Sequence, residues 1–369
     1  MLADFYQSVY LIVVFVLTGL VCYLYYSKNG DLSVEYSEMR VSVSQNFLCL
    51  LLLLFMILFI GTRPVSERYF GDMAGYFYEY RLFEEKAFGF DESLDDPLWS
   101  NMMRFFASCK IGFTSFMLLV AVLYFYVAYK SVGRMFPSDK LAAYLVFLGA
   151  FSTFSYGTNG MRAGVAASIF LLALSYAGNW LITITLAVLS LFIHHSMVLP
   201  LFAFFLALAY RKTNVYLCIW LVCILISAFH ITWFQDLFSQ LSADNGDARG
   251  AQYLMVSGKG GYRTGFRLDF ILYSSVPIVV SYFAVIIKKI QSDYYCFLIN
   301  IYIITNSIWM LCMYASYSNR IAYLSWFMYP IVLIYPFLNE DWGFHRYRVF
   351  SIVMFVHVCF TLAMHFVFL

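Results

Sequence analysis

The sequence predicts an all-α polytopic integral membrane protein, and two observations carry this prediction. Hydrophobic residues make up 63% of the 369 residues and charged residues only 12%, which is about half the charged share of a soluble domain. The apolar residues also stand in long unbroken runs, whereas a membrane β-barrel would show short segments of alternating hydrophobicity. Because lipid cannot satisfy bare backbone polar groups, these runs are expected to be helices.

Runs of about 20 apolar residues are long enough to cross a bilayer, and the sequence contains about twelve candidates. They lie near residues 8–26, 46–61, 111–129, 140–156, 161–178, 180–194, 195–210, 214–233, 269–287, 294–313, 320–338 and 347–368. The first run lacks a basic leader and a small-residue cleavage site, so we expect a retained helix rather than a signal peptide. No internal repeat divides the chain, which we interpret as one transmembrane domain over residues 1–369.

Two connections between these runs are long, near residues 62–110 and 234–268. Connections of this length are uncommon unless they have a function. The short loops on one side of the predicted bundle carry more Lys and Arg than Asp and Glu, and the positive-inside rule places such loops in the cytoplasm. The two long connections and both termini are then expected on the outer side.

Composition also excludes several classes of function. The formal net charge is only +2, too small to favour nucleic acid as a partner. The eight cysteines lie almost entirely in apolar runs without a CxxC pair, so we expect neither disulfides nor a cysteine metal site. The segment Asp95-Asp96-Pro97 could hold a divalent cation, but it stands beside Asp91 and Glu92 and is interpreted as a plain acidic run. We expect no metal and no cofactor.

Four polar clusters are expected to meet on the outer side of the membrane. They are Asp72 with Tyr76 and Tyr80; Asn159 with Arg162; His194-His195-Ser196; and the pair of segments containing Arg263, Arg267 and Asp269, and Tyr317, Asn319 and Arg320. Arg presents a planar fork of donors that suits phosphate or carboxylate, and charges in membrane helices are usually paired or functional. A His beside such cations is a candidate base.

Structural interpretations of the same residues stay open at this stage. Asp72 and Asp269 could cap helices, and Arg162 could be an anchor that reaches the membrane surface. The cluster around Arg267 could be a salt bridge that fixes a loop to the bundle.

The motifs, in this order, resemble the EpsG branch of the Wzy-like polysaccharide polymerases, the family that includes many O-antigen, capsule and exopolysaccharide polymerases. Gly71-Asp72 with Tyr76 and Tyr80 is similar to the family's Gly-(Thr)-Asp…Tyr stretch, and Asn159-Gly160-Met161-Arg162 to its Asn-x-x-Arg helix start. His194-His195-Ser196 matches its His-x-Ser pattern, which selects His194.

Two later segments, Gly265-Phe266-Arg267-Leu268-Asp269 and Asn319-Arg320…Pro330, are similar to the family's Phe-Arg-x-Asp and Asn-Arg…Pro stretches. The chain departs from the pattern at Gly71, where Thr or Ser usually precedes the Asp, and at Ala163, where Gln often follows the Arg.

The resemblance implies a GT-C-like bundle in the bacterial cytoplasmic (inner) membrane, with its active site facing the periplasm or outside. It implies a glycosyltransferase that moves a growing glycan from undecaprenyl diphosphate to the non-reducing end of a lipid-linked repeat unit. The implied partners are this undecaprenyl diphosphate-linked oligosaccharide and a chain-length regulator.

Such a reaction needs cations to hold the diphosphate and a base to deprotonate the acceptor hydroxyl. In the expected assignment of roles, Arg162, Arg267 and Arg320 clamp the diphosphate with help from Arg263; His194 is the base, with Asp72 or Asp269 as orienting acid; Tyr76 and Tyr80 contact sugar; and Asn159, Asn319 and Tyr317 are further substrate contacts. Two alternatives remain: an O-antigen ligase or other lipid-linked sugar transferase, and a flippase for lipid-linked oligosaccharides.

Overall fold

The computed structural model describes residues 2–27, 35–244, 251, 254 and 265–367, and this part of the chain is helical with no β-strand. The first helices are α1 (Phe5–Ser27), α2 (Glu35–Gly61), α3 (Glu67–Phe70), α4 (Met73–Glu84), α5 (Pro97–Ser108), α6 (Phe113–Met135, with a π-helical turn at Val122–Tyr126), α7 (Lys140–Leu148), α8 (Phe151–Thr158) and α9 (Met161–Ser175). The all-α class is confirmed.

The later helices are α10 (Trp180–Ile193), α11 (Val198–Ala209, after a 3-10 turn at His195–Met197), α12 (Thr213–Ala228), α13 (Trp233–Asp244), α14 (Leu268–Ile287, with a π-helical turn at Phe283–Ile287), α15 (Asp293–Leu311), α16 (Ser318–Trp326), α17 (Tyr329–Leu338) and α18 (Arg346–Val367). Each of the twelve predicted apolar runs coincides with a helix or with a pair of helices from these two groups.

The predicted count of about twelve spans is too high for the part of the chain that the structure describes. Seven helical segments are long and apolar enough to cross a membrane if α16 and α17 are counted together, or nine if the bent pairs α7–α8 and α12–α13 each count as one span. Helices α9, α10 and α11 are shorter. The 15 residues of α9 extend only about 22 Å at 1.5 Å per residue, against a hydrocarbon core of about 30 Å. The apolar composition of these segments does not by itself indicate that α9, α10 and α11 are shorter than the other helices.

The buried centre of the bundle is formed by α15, α16 and α17. Buried residues make up 89% of the most apolar stretch of Ser318–Leu338, but only 39% in Phe5–Ser27 and in Arg346–Phe366. The outer helices expose large apolar side chains such as Leu20 and Leu54, as expected of surfaces that face lipid. The short helix α9 packs between α6 and α10, so protein covers most of its length.

The connection over residues 62–110 is a set of three helices, α3 to α5, rather than an irregular loop. The side chains of Phe70 and Trp99 are almost fully buried, which holds α3 and α5 against the bundle. The second long connection begins with α13, and most of its remaining residues lie outside the described part of the chain.

A tight corner joins α8 to α9, at the end of the bundle that contains Asn159 and Arg162. Gly164, in the first turn of α9, lies directly against the backbone of Tyr156 in α8. A Cβ atom at Gly164 would lie 2.7 Å from the Tyr156 carbonyl oxygen, too close for an undisturbed contact. The lack of a side chain at Gly164 therefore allows the corner to close.

Replacing Gly164 with Ala should loosen this corner. Overpacking at a close contact typically costs about 1–3 kcal/mol, so we expect a lower thermal midpoint for Gly164→Ala in detergent, measured by intrinsic fluorescence. The matched control is Gly178→Ala, where an added Cβ would meet nothing within 4 Å. Equal midpoints for the two variants would contradict the close approach of α8 and α9.

Candidate active site

Polar side chains collect where several helices begin or end. Asp72 and Asp96 immediately precede α4 and α5, Arg162 and Arg320 lie in the first turns of α9 and α16, and His194 immediately follows α10. Hydrogen bonds and ion pairs between side chains join these segments to one another. Helix N-termini carry partial positive charge, so this end of the bundle is electrostatically suited to an anionic ligand.

The centre of the site is the carboxylate of Asp96, whose side chain is completely buried. Its Oδ2 lies 2.9 Å from Arg162 Nη1 and 3.1 Å from His194 Nδ1. Its Oδ1 lies 2.9 Å from His195 Nδ1 and accepts the backbone N–H of His195 at 2.7 Å. One carboxylate therefore ties the start of α5 to the start of α9 and to the end of α10.

These contacts set the charge states of the group. Burial by itself would raise the pKa of Asp96, but the hydrogen bonds from His194 and His195 and the charge of Arg162 hold this pKa well below its usual range. Burial lowers the pKa of His194, and its contact with Asp96 only partly offsets that effect. At neutral pH the site therefore contains an ionised Asp96 beside a neutral His194 imidazole.

A second ion pair joins Asp72 to Arg320, with 3.0 Å between Asp72 Oδ1 and Arg320 Nη2. The backbone N–H of Asp72 donates to Asn159 Oδ1 at 2.9 Å, which connects α4 to the α8–α9 corner. Gly71 has a φ of 48°, and a Cβ there would lie 2.5 Å from Asn159 Oδ1. Glycine at position 71, a departure from the family pattern, thus has a steric reason in this structure.

The ends of α14 and α16 carry the remaining predicted residues. Arg267 Nε donates to both carboxylate oxygens of Asp269, at 2.9 and 3.2 Å. Arg267 and Arg320 both lie close enough to Tyr323 for their charges to act on its hydroxyl. The Arg267–Asp269 ion pair therefore lies at the same end of the bundle as Arg320. Arg263 lies outside the described residues.

Tyr317 and Asn319 lie beside Arg320 at the start of α16. The guanidinium carbon of Arg320 is 5.2 Å from the centre of the Tyr317 ring. The side chain of Arg320 is 34% exposed, compared with 19% for Arg162 and 12% for Arg267. Arg320 is thus the most accessible of the three arginines.

Tyr76 lies between the two ion pairs that contain Arg162 and Arg320. The Arg162 guanidinium carbon is 5.9 Å from the centre of the Tyr76 ring, and the charges of Arg162, Asp72 and Arg320 all act on its hydroxyl. Burial raises the pKa of Tyr76 to about 12, so the hydroxyl stays protonated at neutral pH. The structure therefore brings Tyr76 together with both charged groups.

Tyr80 is placed differently from Tyr76, although the sequence pairs them. Its side chain is fully buried, and its hydroxyl donates to the Ile111 carbonyl at 2.6 Å. Its ring packs against Phe113 and Phe116. In this structure Tyr80 fixes α4 to α6 and exposes no ring face to a sugar.

Arg63, a further buried residue near the site, was not expected from the sequence. Only 3% of Arg63 is exposed, and its guanidinium donates to the carbonyls of Ile60 at 2.7 Å and Thr158 at 2.9 Å and to the Met161 sulfur. Arg63 therefore fastens the end of α2 to the turn that precedes α9. The only feature of the sequence that marks Arg63 is that it is a single cation directly after an apolar run.

Asp96 was named from the sequence but was not predicted to belong to this site. An Asp followed by Pro is typical of the start of a helix, and Pro97 is indeed the first residue of α5. The neighbouring acids Asp91, Glu92 and Asp95 made the segment resemble a solvated acidic run. The orienting acid beside His194 was instead expected to be Asp72 or Asp269, which the structure pairs with Arg320 and Arg267.

Asp96, His194 and His195 also form the kind of group that could bind a metal ion. Within the described chain their ligand atoms lie within 4.8 Å of one another, and two imidazoles with one carboxylate suit several transition metals. Four nitrogen donors already surround the Asp96 carboxylate, however, and one belongs to the Arg162 cation. The donor set fits a hydrogen-bonded anion better than a metal ligand.

Comparison with known proteins gives one family match. The model of the EpsG family matches residues 46–369, a range that includes every residue of this site. No curated protein and no solved structure matches the chain.

Removing Arg63 should destabilise the protein because the Ile60 and Thr158 carbonyls would lose a charged donor in a buried place. Hydrogen bonds to charged groups contribute about 1.5–3 kcal/mol each, so Arg63→Leu should lower the free energy of unfolding by about 2–3 kcal/mol. Thermal unfolding in detergent measures this. Arg68→Leu is the control, because Arg68 is exposed; a loss for Arg63→Leu no larger than for Arg68→Leu would refute the fastening role.

Proposed function

This chain belongs to the EpsG family, and on that premise we propose that it polymerises a polysaccharide from lipid-linked repeat units. The family implies a glycosyltransferase-like polymerase of the exopolysaccharide type. In the proposed reaction, a growing glycan is transferred from its donor, undecaprenyl diphosphate, to the non-reducing end of an incoming lipid-linked unit. No nucleotide sugar takes part in this transfer.

The observation that carries the proposal is an imidazole beside a guanidinium on one buried carboxylate. In the proposed step the bond between the anomeric carbon and the diphosphate oxygen breaks, and its electron pair leaves with the lipid diphosphate. A bond forms between that carbon and the acceptor oxygen, whose proton passes to His194. Since His194 and Arg162 share Asp96 Oδ2, a proton acceptor and an anion binder are available side by side.

The three arginines supply the positive charge that the leaving diphosphate needs. Arg162, Arg320 and Arg267 are each paired with a different Asp, which holds the guanidinium in place before substrate arrives. A guanidinium has five N–H donors and can bind a phosphate without abandoning its carboxylate. Arg320 is the most exposed of the three and is proposed to meet the diphosphate first. Arg263 is proposed to assist, as expected from the sequence.

The proposed site faces outward from a bacterial inner membrane. Its support is the family premise together with the charge asymmetry of the short loops. Undecaprenyl diphosphate-linked oligosaccharide is the proposed substrate. Tyr76, Asn159, Tyr317 and Asn319 lie close to the paired charges and are proposed to contact it.

A reconstituted reaction tests the function. Purified protein in nanodiscs, given an undecaprenyl diphosphate-linked repeat unit and no nucleotide sugar, should form a ladder of longer glycans on lipid, resolved by gel electrophoresis or mass spectrometry. Transfer of single glycans to a different acceptor would instead identify a ligase. Protein-dependent movement of the lipid across a liposome bilayer, without a ladder, would identify a flippase.

Individual substitutions test the assigned roles. His194→Ala should lower turnover by about 100- to 10,000-fold, the range for loss of a general base. Arg320→Ala should lower it by about 100- to 1000-fold, as for one preorganised donor to a developing anion. Rates of ladder formation measure both effects.

The matched control for Arg320 is Arg81→Ala, which removes a surface guanidinium. The Arg81 side chain is 65% exposed, and its ion pair is with Glu84, one turn along the same helix. Arg81→Ala should keep the wild-type rate. A wild-type rate in His194→Ala would remove His194 from the mechanism.

A further inference from the structure

The two imidazoles beside Asp96 meet its carboxylate through the same ring atom. Nδ1 of His194 lies 3.1 Å from Oδ2, and Nδ1 of His195 lies 2.9 Å from Oδ1. An ionised carboxylate can only accept hydrogen bonds. Each Nδ1 that bonds to it must therefore carry the hydrogen, so that a neutral ring has its lone pair on Nε2.

We propose that Asp96 is a positioning residue that fixes His194 as the Nδ1–H tautomer and so makes Nε2 the proton-accepting atom. This inference rests on the proposed function, because it specifies how the base of that reaction is prepared. The acceptor hydroxyl gives its proton to Nε2, and the hydrogen on Nδ1 stays where it is. Asp96 remains ionised throughout and stabilises the imidazolium by its charge.

The surroundings of Asp96 favour this role over a merely structural one. Its carboxylate has room for about four donors, and four are present: Nδ1 of each histidine, the His195 backbone N–H and Arg162 Nη1. The backbone N–H and the guanidinium cannot change their donor character. Each carboxylate oxygen accepts a hydrogen bond from one of these two groups, so both oxygens act as acceptors. Nδ1 of each imidazole must then be the donor at its contact with Asp96.

The backbone of Asp96 supports the same conclusion. Asp96 has a φ of 52° and a ψ of 64°, a left-handed conformation that a non-glycine residue adopts at some energetic cost. Pro97 follows it and starts α5. This strained turn aims a fully buried carboxylate at the ends of α9 and α10, and strain of this kind is often found at functional sites.

Asp96→Asn is the informative substitution because it replaces one acceptor oxygen by an NH2 donor of nearly the same shape. If the amide oxygen keeps the backbone N–H of His195, the NH2 group faces His194 Nδ1. His194 must then accept at Nδ1 and carry its hydrogen on Nε2, where it can no longer take a proton. We expect kcat to fall about 1000-fold or more. KM should rise as well, because the NH2 group also removes the oxygen that holds Arg162.

Asp95→Asn is the matched control, since Asp95 is the adjacent acid and is exposed. It should keep the wild-type kcat and KM. A fall in kcat of similar size in both variants would mean that charge in this connection, and not the contact to His194, matters.

The tautomer itself is measured by nitrogen NMR on protein labelled with 15N-histidine. His194 in the wild type should show a protonated Nδ1 and an unprotonated Nε2, and Asp96→Asn should exchange these two signals. A wild-type His194 with its hydrogen on Nε2 would overturn the proposal, and that measurement stands even if the variant fails to fold. A stoichiometric metal ion in the purified wild type, lost in Asp96→Asn, would overturn it in favour of a metal site.

Different results would refute the proposed polymerase function and the proposed role of Asp96. A wild-type ladder with unchanged kcat and unchanged His194 signals in Asp96→Asn would refute the role of Asp96 while the polymerase stands. Absence of a ladder from authentic substrate, with the expected exchange of signals, would refute the polymerase while the contact between Asp96 and the His194 tautomer stands.

Discussion

The arrangement of the polar end of this protein depends on the buried carboxylate of Asp96. A bare charge in the interior of a membrane protein is costly, so its partners must be cations or N–H donors held at close range. Arg162, His194 and His195 supply them from two other helices. The need to satisfy one anion therefore fixes the connection that contains α5 against the ends of α9 and α10, and brings a base beside a guanidinium.

The same logic recurs in the other ion pairs. Arg320 is paired with Asp72 and Arg267 with Asp269, so each of these cations is held by an acid. Exposure differs among the pairs: the Asp72–Arg320 pair is about one-third exposed, whereas the side chain of Asp96 is completely buried. Burial strengthens an electrostatic interaction because the local dielectric is lower. The buried pair is thus suited to holding geometry, and the exposed pair to exchanging its partner for an incoming anion.

Close backbone packing makes these contacts possible. Gly164 lets α9 approach Tyr156, and Gly71 lets the connection before α4 pass close to Asn159. Arg63 fastens the turn between α8 and α9 to the end of α2. None of these residues need touch substrate. They determine where Asp72 and Arg162 lie, and errors of about 1 Å in such positions can strongly reduce catalysis.

The sequence by itself determined the membrane class, the helical character of every apolar run and the helix-end positions of Asp72, Arg162, His194 and Arg320, because composition and hydrophobic pattern are local properties. Only the tertiary structure decided that α9 to α11 are shorter than a usual membrane span, that Tyr80 is buried, and which acid lies beside which cation. The pairing of Asp96 with His194 joins residues 98 positions apart. Such a contact depends on how helices pack and on which buried charges must be neutralised, and neither can be deduced from the order of residues along the chain.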